Sequence, residues 1–319
     1  MRKLLRHVVL VVAVLILAHG VYAQACCNNN VAGDANCDGR LSLADFEEWR
    51  RAFRGTGGTP VPTSPPTGDV KPVGVAGNWE LTFQDEFNGT DINRAVWNFG
   101  PPWGESGQFT QGEEFFTLTD YSVSGGNLNI YYRRRAQPID YGGILRKYNT
   151  VMVQTKGKVT VRDGQYIEWR LKPAKGNGFW SIAWIMPNSW PAADGCPQQY
   201  EMDVFEHLGK GGATTAAATT HVNNNCSLDT DTKFGPAIDW TQTFHTAGVN
   251  WSPDRTEIYF DGQKVFTSTK FNGHNEPGFL MMNGFLGSAG NPTWAGPSDS
   301  STPAEAVFQI DYVRVWNRK

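Results

Sequence analysis

Three acidic side chains, Glu201, Asp203 and Glu206, fall within six consecutive positions of the sequence. In a regular strand, residues two apart share a face, so Glu201 and Asp203 point one way and Glu206 points the other. One extra residue in a β-bulge returns Glu206 to the common face, and bulges are frequent beside active sites. We therefore predict a bulged strand whose three carboxyl groups act together. The residues of this strand predicted to face the core are Met202 and one of Val204 or Phe205.

These carboxyl groups could cleave a glycosidic bond. Retention of configuration needs a nucleophile and an acid/base about 5–5.5 Å apart. With a bulge, Glu201 and Glu206 are separated by about four strand rises of roughly 3.3 Å, and inward-leaning side chains can close that gap. A third carboxyl group between them raises proton affinity, so one group can stay protonated near neutral pH. A solvated acidic strand edge or a calcium site is the competing interpretation.

Aromatic residues near the acids favour the first interpretation. The segment 178–187 is rich in aromatic residues, and a further tryptophan follows it. Flat rings beside carboxyl groups are typical of sugar-binding clefts, because the C–H faces of sugars pack against them. Each of these tryptophans could equally be a core residue, and His221 could be a buried structural histidine. The candidates for substrate contact are Trp103, Trp180, Trp184, Trp190 and His221.

The composition limits the function and the fold class. The chain has 319 residues and a formal net charge of −3, which argues against a general nucleic-acid binder, because such proteins usually carry a basic surplus. Short apolar or alternating runs recur between turn signals from Asn78 onward, and no convincing long helical pattern interrupts them. We therefore predict a large all-β sandwich or jelly roll over residues 73–319. Predicted strands include 127–132, 158–161, 166–171, 258–260 and 307–315, with tight turns at 163–164 and 261–262.

The N-terminus has the pattern of a secretory signal peptide. Basic residues precede an apolar run over 8–18 that is too short for an ordinary membrane-spanning helix, and residues 21–23 fit a cleavage site. We predict a signal peptide over 1–23 and a secreted, extracellular protein. An uncleaved anchor and a lipid-anchored Cys26 are the alternatives.

A calcium-binding loop is predicted shortly after the signal peptide. Asp34, Asn36, Asp38 and Asp45 place oxygen ligands at loop positions 1, 3, 5 and 12, and Gly39 occupies position 6, where such loops turn. An amphipathic helix is predicted directly after the loop. These features define a small EF-hand-like module over 24–55. A Pro/Gly/Thr-rich linker over 56–72 follows it.

The five cysteines are expected to meet an oxidising compartment, because export is predicted. Their odd number leaves at least one thiol free or unusually paired. Cys196 and Cys226 are the only cysteines of the large domain, and we predict a disulfide between them. Two buried thiols are the alternative. The pairing of Cys26, Cys27 and Cys37 stays open.

Taken together, these residues resemble glycoside hydrolase family 16, the family of laminarinases, lichenases, agarases and carrageenases. The resemblance covers Trp79–Trp316, with the opening strand at 79–89, a Gly-Asn-Leu turn at 126–128, the tryptophan-rich segment, the acids and the closing strand at 310–316 in the same order. It implies a β-jelly-roll sandwich of the concanavalin A-like type, with a substrate cleft across one face. The spacing of the acids matches the bulged branch of the family.

The resemblance also implies roles for individual residues. Glu201 becomes the nucleophile, Asp203 its helper and Glu206 the acid/base, with no cofactor needed for catalysis. A structural calcium ion would be held by backbone oxygens of Glu86 and Gly126 and by the carboxylate of Asp311. A turn or salt-bridge role for Asp311 is the alternative.

The loop at 34–45 resembles one calcium-binding repeat of a dockerin. A complete dockerin has two repeats, and this sequence shows one. A cohesin-type partner is therefore one implied possibility, and a calcium-stabilised stalk without a partner is the other. We expect a monomer whose main partner is a polysaccharide.

The substrate is predicted less sharply than the chemistry. The segment 180–191 most resembles laminarinases and favours endo-acting hydrolysis of a β-1,3-glucan, whereas 110–116 lacks the asparagine that those enzymes use to contact sugar. The arginine run 133–135 would suit a sulfated galactan, although charge runs are usually solvated. An agar, porphyran or carrageenan hydrolase is therefore the alternative, and a transglycosylase shares the same chemistry. A non-catalytic lectin on the same sandwich would not need the acids.

Overall fold

The computed structural model describes residues 70–102, 112–190, 199–224, 226–271, 273–288 and 294–319. The chain divides into two compact units, 1–60 and 61–319, and the described residues belong to the second. The predicted signal peptide, the calcium-binding module with Asp34, Asn36, Asp38 and Asp45, and nearly all of the linker lie outside them.

The described residues form a β-sandwich, as the sequence predicted. Apart from strands they contain a single 3-10 helix, Gly209–Thr214. No helix in this part of the chain has the length and apolar character needed to cross a membrane. The strands are β1 (Trp79–Asp85), β2 (Asn98–Phe99), β3 (Glu114–Phe116), β4 (Tyr121–Ser124), β5 (Asn127–Tyr141), β6 (Ile144–Thr150), β7 (Met152–Gln154), β8 (Gln165–Lys172), β9 (Phe179–Pro187), β10 (Tyr200–Leu208), β11 (Ala216–Asn224), β12 (Ser227–Phe234), β13 (His245–Ser252), β14 (Arg255–Phe260), β15 (Gln263–Ser268), β16 (Gly278–Leu286) and β17 (Glu305–Arg318).

Two sheets form the sandwich. The larger sheet has ten strands in the order β15-β14-β13-β8-β17-β5-β6-β3, with β1 beside β17 and β4 beside β5. The smaller sheet has seven strands in the order β12-β11-β10-β9-β16-β7-β2. Strand pairs between the named strands are antiparallel except β3–β6, which is parallel. Non-consecutive neighbours such as β8 and β17 show that the chain crosses repeatedly between the sheets.

The main core lies between the two sheets. Alternate residues of both sheets, among them Trp169 of β8, Met202 of β10 and Val313 of β17, are completely buried in one apolar cluster. The opposite face of the smaller sheet, called here the open face, carries a second apolar cluster that includes Ile182, Trp184 and Met281. Burial on both faces explains why β9 and β16 are mostly apolar instead of strictly alternating. The neighbouring strand β10 is also buried along most of its length, but it carries the acids on the open face.

Both predicted tight turns are present, and one of the predicted strands is not. Gly164, Asp261 and Gly262 have positive φ angles of 81°, 47° and 73°, which suits tight turns. The predicted strand 158–161 is wrong. The amides of Lys158 and Val159 donate to the carbonyl of Thr155, so the chain turns there and forms only an isolated bridge at residue 161.

Candidate active site

The acidic strand is β10, which lies between β9 and β11 in the smaller sheet. Its register slips after Asp203 on both sides, before Phe205 towards β9 and before Glu206 towards β11. The inserted residue is the predicted bulge. Met202 is buried in the main core as predicted, but Val204 and Phe205 are both buried there, whereas only one of them was expected. The bulge lets two consecutive side chains turn towards the core.

The three acids meet on the open face. Asp203 and Glu206 expose only 2% and 3% of their surface, while Glu201 is partly exposed. On β11, His221 lies opposite Glu201, and Ala217 lies opposite Glu206. Glu206 interacts electrostatically with both other acids and with His221, so the four groups form one cluster.

Both carboxyl oxygens of Glu206 have hydrogen-bond partners. The indole Nε1 of Trp180, on β9, donates to Oε1 over 3.1 Å. The hydroxyl of Thr219, on β11, donates to Oε2 over 2.5 Å. Thr219 in turn accepts a hydrogen bond from the Thr232 hydroxyl on β12 over 3.4 Å. Neighbouring strands on both sides therefore fix the orientation of the Glu206 side chain.

Asp203 is held between an acid and a histidine. Its carboxyl group hydrogen-bonds with Glu201, which requires that one of the two groups carries a proton. His221 Nε2 lies 3.4 Å from Asp203 Oδ2, and His221 Nδ1 lies 2.7 Å from the hydroxyl of Thr230. The imidazole is thus positioned from both of its nitrogens. The predicted His221 candidate lies at the acids and is half-buried.

Burial dominates the electrostatics of the site. It raises the pKa of Asp203 to about 8, although the hydrogen bond from Glu201 opposes the shift. Burial, and then the negative charge of Asp203, raise the pKa of Glu206 well above its usual range, while the Thr219 hydrogen bond lowers it in part. Burial disfavours a charged carboxylate because the protein solvates it less well than water does. These effects favour the protonated form of Glu206, which is the form that can act as an acid.

Aromatic side chains flank the acids on the β9 side. Trp180 and Trp184 both lie on the open face of β9. Their ring centroids lie 5.0 Å (Trp180) and 6.1 Å (Trp184) from that of Phe285 on β16. Trp184 also donates from Nε1 to the side chain of Asn283 over 2.8 Å. Trp190 packs against the same cluster. The predicted substrate candidate Trp103 lies outside the described residues.

The predicted calcium ligands are only partly consistent with an ion. Gly126 lies at the β4–β5 turn, where a Cβ atom would be 3.5 Å from the side chain of Asn88, close in sequence to Glu86. Oxygen donors of this kind suit calcium. However, the carboxylate of Asp311 is 2.5 Å from Arg170. The carboxylate of Glu86 is bound by Arg314, which does not involve the backbone oxygen predicted as its ligand atom. The structure thus shows the salt-bridge alternative for Asp311, and the calcium ion stays a prediction.

A different group of side chains is compact enough to hold a metal. Ligand atoms of Glu201, Asp203 and His221 lie within 4.8 Å of one another. However, Glu201 and Asp203 are hydrogen-bonded to each other, so a shared proton already relieves the repulsion between the two carboxyl groups. We therefore interpret the group as part of the acid cluster.

Two further predicted features, the disulfide and the arginine run, are not among the contacts of the acids in the described part of the chain. Cys226 is disulfide-bonded, while Cys196 lies outside the described residues, so this pairing stays a prediction. The arginine run lies on β5 and is engaged within the protein: Arg133 pairs with Asp120 and Glu305, and Arg134 and Arg135 stack on aromatic rings. These arginines therefore do not support recognition of a sulfated sugar at the acids.

The sequence did not point to Thr219, Thr230, Asn283 or Phe285 as parts of the site. The alternation of β11 and β12 could have suggested the threonines, since residues opposite the acids share their face. Asn283 and Phe285 lie in a continuously apolar strand, where alternation gives no signal.

Comparison with known proteins agrees with this architecture. The family model described as "Beta-porphyranase A-D, GH16 domain" matches residues 79–318. This chain belongs to that family, within glycoside hydrolase family 16 (GH16). The predicted family and the jelly-roll class are therefore confirmed.

Relatives of the GH16 chain include several glucanases. It is 26% identical over 270 residues to glucan endo-1,3-beta-glucosidase A1 of Niallia circulans, covering 75% of this chain but only 38% of that protein. The endo-beta-1,3-glucanase of Pyrococcus furiosus is 28% identical, with a TM-score of 0.65 over 76% of this chain and 95% of the other. The catalytic domain of a laminarinase from Thermotoga petrophila is 26% identical, with a TM-score of 0.66 over 76% of this chain and all (100%) of that domain.

Proposed function

We propose that this chain is a retaining endo-glycosidase that hydrolyses internal β-linkages of a polysaccharide by double displacement. The observation that carries the proposal is the cluster of Glu201, Asp203 and Glu206 on one face of the bulged strand β10. Their different environments shift their pKa values by different amounts, so that one group can act as an acid while another is ionised, as this chemistry requires. Glu206 is favoured as the protonated acid, and Glu201 is the more exposed carboxyl group.

In the first step Glu206 donates its proton to the glycosidic oxygen while Glu201 attacks the anomeric carbon. The leaving sugar takes the proton, and a covalent glycosyl-enzyme forms on Glu201. Asp203 and Glu201 share one proton, and burial, which raises the pKa of Asp203 to about 8, favours that proton on Asp203, whereas the hydrogen bond with Glu201 opposes this. A proton on Asp203 leaves Glu201 ionised and fixes its orientation, which a nucleophile needs.

In the second step Glu206, now a carboxylate, removes a proton from water as the water attacks the anomeric carbon. The bond to Glu201 breaks, and the initial protonation states return. A second sugar in place of water would give transglycosylation. The burial of Glu206 favours recovery of its proton, because the charged form is the less stable one in this site.

A β-1,3-glucan is the substrate we propose first. Relatives that carry endo-β-1,3-glucanase names cover about three quarters of this chain, including two solved structures above 25% identity. Trp180 and Phe285, which are partly exposed beside the acids, offer flat surfaces for a glucan chain, whereas the predicted candidate Trp184 is only 4% exposed and supports them from below. A β-linked galactan of the porphyran class is the second candidate, because the matching family model is that of β-porphyranases.

Product analysis separates these substrates. Purified enzyme is incubated with laminarin, mixed-linkage β-glucan, porphyran, agarose and carrageenan, and the products are resolved by chromatography and mass spectrometry. We expect a ladder of oligosaccharides from laminarin. A ladder from porphyran alone would assign the second substrate, and products longer than the starting oligosaccharide would show transglycosylation. Binding without any product would favour the lectin alternative.

The role of Glu201 is tested by Glu201→Ala. We expect loss of turnover by several orders of magnitude, since the covalent intermediate cannot form. Binding of the polysaccharide, measured by titration calorimetry, should be largely kept. Glu305→Ala, at an exposed position on the larger sheet, is the control and should keep full activity. Full activity of Glu201→Ala would contradict the mechanism.

We also propose that the N-terminal residues export the enzyme and bind calcium. The support is the signal-peptide pattern over 1–23 and the ligand spacing over 34–45. Mass spectrometry of protein recovered from the culture medium should find a chain that begins at Gln24. Calcium titration should detect a site that Asp34→Ala removes, and a second site, if present, that Asp311→Asn removes. Cohesin binding is the partner proposed for the module, and pull-down with a cohesin domain tests it.

A further inference from the structure

Two aromatic rings lie exposed at one edge of the open face. Phe234, the last residue of β12, is 54% exposed, and Trp294 is 38% exposed. Their rings are stacked, with centroids 5.7 Å apart and an interplanar angle of 24°. Other exposed large hydrophobic residues, such as Leu145 and Leu118, are aliphatic. Exposed apolar residues that are isolated need no explanation, whereas a paired aromatic surface does.

Strand register places Phe234 on the same face as the acids. Thr232 hydrogen-bonds with Thr219, and Thr219 contacts Glu206, so Thr232 faces the site. Phe234 is two residues further along β12 and therefore shares that face. Ala217 lies between them, opposite Phe234 on one side and opposite Glu206 on the other. Two strand spacings separate Phe234 from Glu206, which is about 10 Å across the sheet.

The segment that carries Trp294 is anchored. Ala295 is completely buried, and Pro297 forms a bridge with Gly287 at the end of β16. Gly296 has a φ of 73°, and a Cβ atom there would lie 3.2 Å from three carbons of the Lys210 side chain. A glycine is therefore needed for the segment to pass over the lysine. This anchoring presents the indole at a fixed position beside Phe234.

The acids thus have aromatic surfaces on both sides. Trp180 and Phe285, which are partly exposed, lie on the β9 and β16 side, and Phe234 with Trp294 lies on the β12 side. An endo-acting enzyme must hold its chain on both sides of the bond that it cleaves. Between Glu206 and Phe234 the strand β11 contributes Ala217, whose small side chain is completely buried.

We propose that Phe234 and Trp294 form a sugar-stacking platform that binds the polysaccharide on the β12 side of the catalytic acids. This proposal rests on the proposed function and deepens it, since it assigns the stretch of chain beyond β11. The occupant is the C–H face of sugar rings in a β-linked chain. Aromatic faces suit it because they combine large apolar area with little loss of side-chain entropy on binding.

The test compares long and short substrates in the full-length enzyme. Phe234→Ala and Trp294→Ala should each raise KM for laminarin, or for porphyran if that is the polysaccharide cleaved, about three- to tenfold, with kcat nearly unchanged. Turnover of a short aryl β-glycoside, which does not reach β12, should not change. Phe234→Tyr keeps the ring and should behave as the parent. Leu145→Ala removes a similarly exposed side chain from the larger sheet and serves as the matched control.

Each outcome bears on the platform separately from the proposed function. An unchanged KM in both alanine variants, with both chains folded by circular dichroism, would overturn the platform while leaving the catalytic assignment intact. Loss of self-association in light scattering, without any change in KM, would identify the surface as a contact between copies and also overturn it. Failure of the parent enzyme to cleave or bind any polysaccharide would instead reject the proposed function itself.

Discussion

At the scale of single residues, Glu206 shows how a buried carboxyl group becomes an acid. Its oxygens contact Trp180 and Thr219, and the negative charge of the proton-sharing pair Asp203 and Glu201 opposes its ionisation. The hydrogen bond from Thr219 stabilises the charged form and so lowers the pKa that burial has raised. Thr219 therefore adjusts the protonation of Glu206 without touching the reacting atoms.

This adjustment can be measured with Thr219→Val. Loss of the hydroxyl removes the stabilisation of the Glu206 carboxylate, so its pKa rises further. Activity requires protonated Glu206 in the free enzyme, and we expect the alkaline limb of the kcat/KM profile to move to higher pH. Thr219→Ser keeps the hydroxyl and should keep the profile of the parent. A uniform loss of activity with unmoved limbs would show that Thr219 only supports packing.

Stability should depend on pH for the same reason. The pKa of Glu206 is higher in the folded than in the unfolded chain, so its contribution to stability is complete below the unfolded value and is lost as pH rises through the folded value. Glu206→Gln removes this loss. We expect its Tm to exceed that of the parent by a margin that grows from mildly acidic to alkaline pH. Glu80→Gln, at an exposed site, is the control, and parallel Tm curves for all three proteins would refute the interpretation.

Sequence reasoning reached these residues because spacing carries information about faces. The distance from Asp203 to Glu206 demanded a bulge, and the structure has it. The same reasoning placed only one of Val204 and Phe205 in the core, whereas both are buried there. A bulge frees two consecutive side chains from strict alternation, and the sequence does not show which way each of them points. Contacts such as that of Thr219 depend on strand pairing, which no local pattern specifies.

At the scale of elements, β16 determines how closely the two sheets approach beneath the site. Gly284 alternates with Asn283 and Phe285, and a Cβ atom on it would lie 2.5 Å from the ring of Tyr132 and 2.8 Å from the hydroxyl of Thr150. Tyr132 in turn contacts Ser181 of β9 over 3.1 Å. The packing of the larger sheet against β16 and β9 thus fixes the strands that present Trp180 and Phe285.

Gly284→Ala tests this packing. Overfilling a dense core costs about 1–3 kcal/mol, so we expect a lower Tm in calorimetry. Because Asn283 and Phe285 would shift with the strand, kcat/KM should fall as well. Gly89→Ala provides the matched control, since its nearest neighbour would be a loop carbonyl at 3.3 Å. Equal Tm values for the two variants would show that the sheets can separate without consequence.

The strands themselves were predictable from alternation and turn residues, and most of the predicted strand centres are correct. The strand at 158–161 was not, because its apolar residues alternate although its amides bond within a turn. Sheet order lies beyond local pattern: β8 pairs with β13 and β17, which are distant in sequence. Such long-range pairing follows from the whole core and not from any one segment.

At the scale of the whole molecule, the predicted disulfide would enclose all of β10 and β11. A bond between Cys196 and Cys226 would close a loop of about thirty residues, which stabilises a fold by about 3–4 kcal/mol through the unfolded chain. Cys226 is bonded and has a φ of 61°, which few non-glycine residues adopt. The cross-link would therefore tie the end of β11 to the segment that precedes the acids.

Cys226→Ser should lower Tm, because it removes the stabilisation that closing this loop provides. Alkylation followed by peptide mass mapping should then find a newly free thiol at Cys196, which confirms the pairing. A newly free thiol at Cys26, Cys27 or Cys37 would assign a different partner. The parent protein, alkylated without reduction, supplies the reference for each cysteine.

The contact between Trp180 and Glu206 has a further consequence, because an indole N–H can only donate. Oε1 therefore keeps its indole partner whether or not Glu206 carries its proton. Oε2 faces the hydroxyl of Thr219, which can both donate and accept, so Thr219 is the partner that can follow the gain and loss of the proton. Thr232 is hydrogen-bonded to Thr219 in turn. The two threonines therefore extend the hydrogen bonding of the acid to the edge strand β12.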